Sequence, residues 1–280
     1  KEPVLTEIKA QCDVVFLALP HTVSMGFVPL LLKAGKKVID LSADYRLEST
    51  KVFEEFYAAK HTDPLNLKTA VYGLPEVLRS KIKSASLIAN PGCYPTVSIL
   101  SLAPLVALDH IDLDSIIIDA KSGVTGAGRK ASMNFFFSEV NEDFKAYKIN
   151  EHQHIPEINQ ELSRLAGKKL QVIFVPHLLP VNRGILATVY ARKKRKSKDG
   201  ELLALYEKFY KKEPFVRIRK SSFPQLKDVV KTNFCDIAIK DEKDSIIIVA
   251  AIDNLLKGAA GQAVQNMNIL YGFPEQTALL

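Results

Sequence analysis

The feature that most constrains the fold is a pair of apolar runs separated by one helical segment. Asp13-Val14-Val15-Phe16-Leu17-Ala18-Leu19-Pro20 is apolar without a break between its end residues over the length of a strand, which suits a parallel strand buried on both faces. The next segment, through Leu32 and Lys33, has helical spacing and stops at Gly35, and Lys37-Val38-Ile39-Asp40-Leu41 is a second strand. Strand, helix, strand is the βαβ signature of an α/β chain with a Rossmann-type parallel sheet. Ligands of such sheets bind beyond the C-terminal ends of the strands. Pro20, His21 and Ser24 after the first strand and Arg46 after the second are therefore ligand candidates. No Gly-x-Gly-x-x-Gly turn follows a strand near residue 1, so the sheet is expected to lack its first, phosphate-cradling βα unit.

Asn90-Pro91-Gly92-Cys93-Tyr94-Pro95-Thr96 is the chemically suggestive stretch. It follows the short apolar run Ser86-Leu87-Ile88-Ala89 and precedes an apolar segment that Pro95 suits as a first helical turn. A thiol at such a strand-to-helix junction meets unpaired backbone N–H groups and the positive end of a helix dipole, which favour thiolate. Cys93 is the expected nucleophile. The three cysteines, Cys12, Cys93 and Cys235, are too few and too scattered for a disulfide framework or a structural zinc site.

A chain of 280 residues is long enough for two domains. Hydrophobic residues make up 47% and charged residues 25%, an ordinary globular balance. No apolar run approaches a membrane span and Lys1-Glu2-Pro3-Val4 lacks a leader's apolar core, so no membrane partner and a cytoplasmic location are expected. The net charge is +7, and much of the excess lies in Arg192-Lys193-Lys194-Arg195-Lys196-Ser197-Lys198. That run reads as a solvated hairpin or loop, without the interleaved aromatics of single-strand binders.

Further along, 115–120 reads as a strand that delivers the glycine-rich loop Lys121-Ser122-Gly123-Val124-Thr125-Gly126-Ala127-Gly128-Arg129. Tyr72-Gly73-Leu74-Pro75-Glu76 reads as a turn. His152 and His154 share a side only if the backbone is extended, and Pro156 starts a helix just after them. No third ligand is suggested by spacing, so no metal is expected; acid/base work beside Cys93 is the alternative to surface histidines. Arg183-Gly184 breaks a strand that resumes at 185–191, a helix is expected over 201–210, and strands over 215–219 and 245–251. The small-residue stretch 253–267 is expected to be a helix packing closely on a sheet or cofactor.

These segments resemble the N-acetyl-gamma-glutamyl-phosphate reductases, acyl-phosphate reductases of arginine biosynthesis. The heptapeptide around Cys93 carries the likeness. The segments 41–47, 72–76 and 121–129, the His-x-His-x-Pro-Glu-Ile motif, Arg183-Gly184 and Asn254 to Gly258 extend it. Aspartate-semialdehyde dehydrogenases share the cysteine in different surroundings. The resemblance implies Cys93 as nucleophile with His154, or else His152, as acid/base. It implies NADP(H) held by Pro20, His21, Ser24, Ser122, Gly123, Asn254, Lys257 and Gly258. The substrate, with inorganic phosphate, would be met by Arg46, Asn90, Arg183 and Glu157. Residues 1–93 with 252–280 would form the Rossmann-type domain, and 94–251 an α+β catalytic and oligomerisation domain of a dimer or tetramer. Family members begin with a glycine-rich βα unit, so the chain is expected to be truncated at its N-terminus. Two alternatives stand beside this: a sibling reductase acting on aspartyl phosphate or a carrier-linked aminoadipyl or glutamyl phosphate, and a nucleic-acid or scaffold protein using the basic run.

Overall fold

The computed structural model describes residues 10–128 and 132–280. The described residues divide into two compact units, one running to Gly92 and resuming over Gln262–Leu279, the other running from Cys93 to Gly261 with Leu280.

The first unit is built on strands β1 (Val14–Leu17), β2 (Lys37–Asp40), β3 (Val71–Tyr72) and β4 (Leu87–Ala89), all parallel, in the order β1-β2-β4-β3. Successive side chains of a strand point to opposite faces. Val38 and Leu87 accordingly pack into one cluster with Leu17, Val28, Leu31 and Phe53, while Ile39 and Ile88 pack into another with Ile82, Ala263 and Ile269. A strand that buries both faces has to be apolar throughout, which is why these segments read as continuous runs rather than alternating ones. The first strand stops at Leu17, short of Pro20, and the connection to β2 is a 3-10 turn, Ser24–Gly26, followed by the helix Val28–Lys33. Gly35 ends it at a φ of 74°, the left-handed conformation glycine adopts at a helix stop.

Two further readings change here. The expected turn at 72–76 is the end of β3 leading into the helix Pro75–Ile82, with proline in the first turn where no N–H is needed. The expected helix over 253–267 starts only at Ala260. Asp253 explains the delay: its Oδ1 accepts the N–H groups of Leu255 and Leu256 at 2.8 and 3.1 Å, and its carbonyl accepts that of Gly258 at 2.9 Å. These local bonds hold 254–259 in turns in competition with helix.

The second unit carries a mixed seven-stranded sheet in the order β6-β7-β5-β8-β11-β10-β9. Its strands are β5 (Ile117–Gly123), β6 (Lys145–Ala146), β7 (Ile173–Leu179), β8 (Ile185–Arg192), β9 (Val216–Ile218), β10 (Cys235–Asp241) and β11 (Ser245–Ile252). Here burial alternates along β5, β7 and β8, as one covered face requires. The covering element is the helix Cys93–Ala107, whose residues from Tyr94 to Val106 are all buried. Pro104 lies inside it and cannot donate to the carbonyl four residues earlier. That carbonyl, on Leu100, accepts the Tyr210 hydroxyl instead, and the Tyr206 hydroxyl donates to Ser101 at 2.5 Å. Both tyrosines lie at or beside the end of the helix Glu201–Phe209, so an apolar helix with an internal proline keeps its carbonyls paired. Among the described residues no helix is long and apolar enough to cross a membrane.

Candidate active site

In the first unit the strand ends are tied together by polar side chains. Arg46 is buried; its Nε donates to the Asn90 carbonyl at 2.7 Å and its terminal nitrogen to the Leu41 carbonyl at 2.6 Å. It is thus a clasp across the ends of β2 and β4. Asn90 donates its N–H to Asp40 at 2.8 Å and accepts Asn266 Nδ2 on its side chain at 3.1 Å. The turn that leads to Cys93 is fixed through its main chain and its first side chain.

Pro20 and His21 lie exposed beyond the C-terminal end of β1, while Ser24 is buried and its hydroxyl donates to Asp40 Oδ1 at 2.7 Å. His21 Nδ1 accepts the Ala43 N–H at 3.0 Å. Although part of the residue faces solvent, desolvation of its ring by the surrounding chain, then the Arg46 charge, lower the His21 pKa, against the opposing pull of Asp44. Burial likewise raises the pKa of Asp40, opposed by hydrogen bonds from Ser42 and Ser24. Thr22 holds a left-handed φ of 75°, fixed by its N–H donating to Asp44 Oδ1 at 2.7 Å. Backbone strain of this kind collects at ligand-facing turns.

In the second unit Cys93 is the first residue of its helix and is partly exposed. Around the residue next to it stands a cluster of rings. Tyr94 meets His152, His154 and Phe174 edge-on with centroids 5.4, 6.0 and 5.2 Å apart, and the two histidine rings are 4.8 Å apart. Extended backbone is not what brings the histidines together. His154 has helical φ and ψ as the residue capping the helix Ile155–Ala166, and its N–H donates to His152 Nδ1 at 3.1 Å, closing a tight turn. Burial, with Lys148 adding to it, lowers the His152 pKa to about 4, so that ring is neutral. Glu157 is buried in the first turn of the same helix, one turn from His154.

The Tyr94 hydroxyl lies 3.1 Å from that of Tyr147. Burial pushes the Tyr147 phenol up to about 12, a hydrogen bond with Tyr94 pulls it down, and the Cys93 sulfur raises it again. Burial first, then Tyr147 and also Cys93, raise Tyr94. Both phenols therefore remain protonated donors beside the thiol. Tyr94 belongs to the heptapeptide, but its residue type and spacing point to no role there, and nothing in the spacing marks Tyr147.

Ser122 and Gly123 are the last two residues of β5 and not part of a loop. A side chain at Gly123 would lie 2.7 Å from the Val181 carbonyl oxygen and 2.9 Å from the Arg183 nitrogen, so glycine lets two chain segments touch there. Asn254 fixes the same region. Its Oδ1 accepts the Gly184 N–H at 2.7 Å and its Nδ2 donates to Thr125 at 3.0 Å. Arg183 pairs with the buried Asp253 at 3.5 Å. Gly258 packs on Cys93: a Cβ there would be 2.8 Å from Cys93 Cβ. Lys257 is fully buried, with its ammonium 5.8 Å from the Phe215 ring centre.

The basic run is engaged by acids. Arg192 pairs with Asp112 at 2.7 Å, Lys193 with Asp241 at 2.6 Å, Lys194 with Asp109 and Arg195 with Glu201.

Residues 93–254 match the family described as semialdehyde dehydrogenase, dimerisation domain, and residues 1–85 the semialdehyde dehydrogenase, NAD binding domain. An N-acetyl-gamma-glutamyl-phosphate reductase of Geobacter metallireducens is 53% identical over 282 residues, 99% of this chain and 81% of the relative. One from Methanococcus maripaludis is 53% identical over 269 residues, 95% of this chain and 78% of the relative. In three dimensions the chain resembles aspartate semialdehyde dehydrogenase II of Vibrio cholerae, with a TM-score of 0.72 over 94% of this chain and 81% of that one. At 17% identity this likeness establishes the fold. The chain belongs to the N-acetyl-gamma-glutamyl-phosphate reductases, within the semialdehyde dehydrogenase fold.

Proposed function

We propose that the protein reduces N-acetyl-L-glutamyl 5-phosphate to N-acetyl-L-glutamate 5-semialdehyde, releasing phosphate. NADPH is the reductant and a homo-oligomer the working form, in keeping with the match of residues 93–254 to a dimerisation domain. The observation that carries the reading is Cys93 at the start of a buried helix, next to the Tyr94, Tyr147, His152 and His154 cluster. The first unit suits a dinucleotide: it is a doubly wound parallel sheet, and the Gln262 amide and Asn266 Oδ1 are buried polar atoms with no hydrogen-bond partner among the described residues.

Cys93 Sγ attacks the acyl carbonyl, the C–O bond to phosphate breaks, and a thioester remains on the enzyme. Bound NADPH supplies the hydride that brings this acyl group to the aldehyde level. The C–S bond then breaks and Cys93 regains its thiolate. His154 moves the proton at the carbonyl oxygen and the sulfur. The neutral His152 positions it through the bond between their turn atoms. Arg183 meets the substrate's anionic end, with Glu157 fixing the substrate from the first turn of the helix that His154 caps. Arg46 and Asn90 support substrate binding by holding the strand ends. Pro20, His21, Ser24, Ser122, Gly123, Asn254, Lys257 and Gly258 shape the cofactor's surroundings; Ser24 and Asn254 act through the carboxylate and backbone they hold.

The test is phosphate-dependent oxidation of N-acetylglutamate semialdehyde, followed as NADPH absorbance. Turnover that needs phosphate and vanishes in Cys93→Ala supports the reading. Turnover of aspartate semialdehyde in place of the acetylated aldehyde would overturn the substrate, and silence with both would overturn the reaction.

A further inference from the structure

Three short connections meet at the N-terminal ends of neighbouring strands in the first unit. Gly35 and Lys36 lead into β2, Thr69 lies two residues before the start of β3, and Ser84 to Ser86 lead into β4. The sheet order places β4 between β2 and β3. Among these connections lies a cleft of about 670 Å³, within the range of small-molecule sites. It is at the opposite end of the strands from Arg46 and Asn90. β2 spans four residues, so the two edges of the sheet are about 10 Å apart.

The charge of the lining is one-sided. Lys36, Lys37 and Lys81 contribute to it, and among the described residues it contains no Asp or Glu. The segments 32–37, 66–71 and 81–87 that supply it also carry Lys33, Lys68 and Lys83, again without an acid. The basic run that begins at Arg192 differs, since its charges face Asp112, Asp241, Asp109 and Glu201. Lys37 is held in place: its ammonium donates to the Ala85 carbonyl at 2.8 Å and lies 3.5 Å from Ser86 Oγ. An ammonium has three donors, so one is left for a ligand. A cleft lined by one sign of charge focuses its field and concentrates the opposite ion.

The residue types narrow the anion. Arginine's planar fork matches a carboxylate in two parallel bonds, whereas lysine meets a phosphate as a point charge. Three lysines without an arginine suit a doubly charged phosphoryl group. Asn66, Thr69 and Ser84 offer polar partners for a sugar or polyol, and Leu32, Val71 and Leu87 give its carbon skeleton an apolar wall. A nucleic-acid backbone would need an extended basic face, while this cleft is walled by three connections and admits one small molecule.

We infer that the cleft at the N-terminal edge of the parallel sheet binds a small organic phosphate. It shares no residue with the catalytic, cofactor or substrate machinery proposed above.

The test is calorimetric titration of the full chain, with NADPH present, using ribose 5-phosphate, pyrophosphate and plain ribose. Wild-type protein is compared with Lys81→Gln and with the double variant Lys36→Gln, Lys81→Gln, both of which leave the bond from Lys37 to Ala85 in place. Wild type is expected to bind the two phosphates, more weakly as salt is raised, and not ribose. The double variant should weaken both by about tenfold or more, as the loss of two charged donors implies, and Lys81→Gln by less. Turnover of the acetylated aldehyde should stay at the wild-type level in both variants. Equal phosphate affinity in wild type and variants would place the phosphate at the catalytic edge and overturn the inference. So would a wild type that binds neither phosphate, which would make the lysines a solvated face. Binding of a single-stranded oligonucleotide that the double variant loses, with neither small phosphate bound, would make the cleft part of a polyanion surface instead.

Discussion

His152 Nδ1 accepts the backbone N–H of His154 at 3.1 Å, a bond that exists only while that nitrogen is unprotonated. Burial first, then the Lys148 charge, keep His152 neutral in the folded protein, with a pKa of about 4 against 6.5 in an open chain. Between these values the unfolded chain binds more protons than the folded one, so stability rises with pH across the window. The contribution is fully present above pH 6.5 and is lost as pH falls to about 4, a span of about 3 kcal/mol. Urea unfolding at a series of pH values should show that slope, and His152→Asn, which keeps an acceptor but does not titrate, should flatten it.

The roles proposed for the thiol and the histidines order three variants. Cys93→Ala is expected to abolish turnover because no other group forms the thioester. His154→Asn is expected to slow it by about 10²–10⁴-fold, the usual value of a general acid/base. His152→Asn, which acts only through position, should lower kcat less than His154→Asn. Equal losses at both histidines would contradict the assignment.

Gly258→Ala places a Cβ 2.6 Å from the Asn254 carbonyl oxygen and 2.8 Å from Cys93 Cβ. Neither contact can be kept, so the start of the cysteine's helix or the 254–258 turns must shift, at a cost of about 1–3 kcal/mol. A lower melting temperature together with a reduced rate of Cys93 alkylation by iodoacetamide is the expected outcome; unchanged alkylation would show that the shift leaves the thiol where it was.

Arg46→Met removes two charge-assisted bonds to the carbonyls of Leu41 and Asn90. The expected loss is about 3 kcal/mol or more by denaturant unfolding. Arg46→Lys should recover little, since an ammonium lacks the fork that spans two acceptors. Full stability in Arg46→Met would mean that the clasp contributes nothing and that the arginine is held there for ligand alone.

The sequence by itself determined the parallel sheet of the first unit. Burial on both faces of β2 and β4 demands unbroken apolar residues, and this is visible in one dimension in Val38, Ile39, Leu87 and Ile88. It also singled out Cys93 for the role proposed above, since a thiol at a strand-to-helix junction meets unpaired backbone N–H groups and the positive end of a helix dipole. Only the tertiary structure decided that Arg46 is a clasp, that Asp253 delays a helix, that two histidines meet through a turn, and that Tyr147 stands beside Tyr94. Each depends on which carbonyl, carboxylate or ring lies across from a side chain, often dozens of residues away, and local pattern carries no record of such pairings.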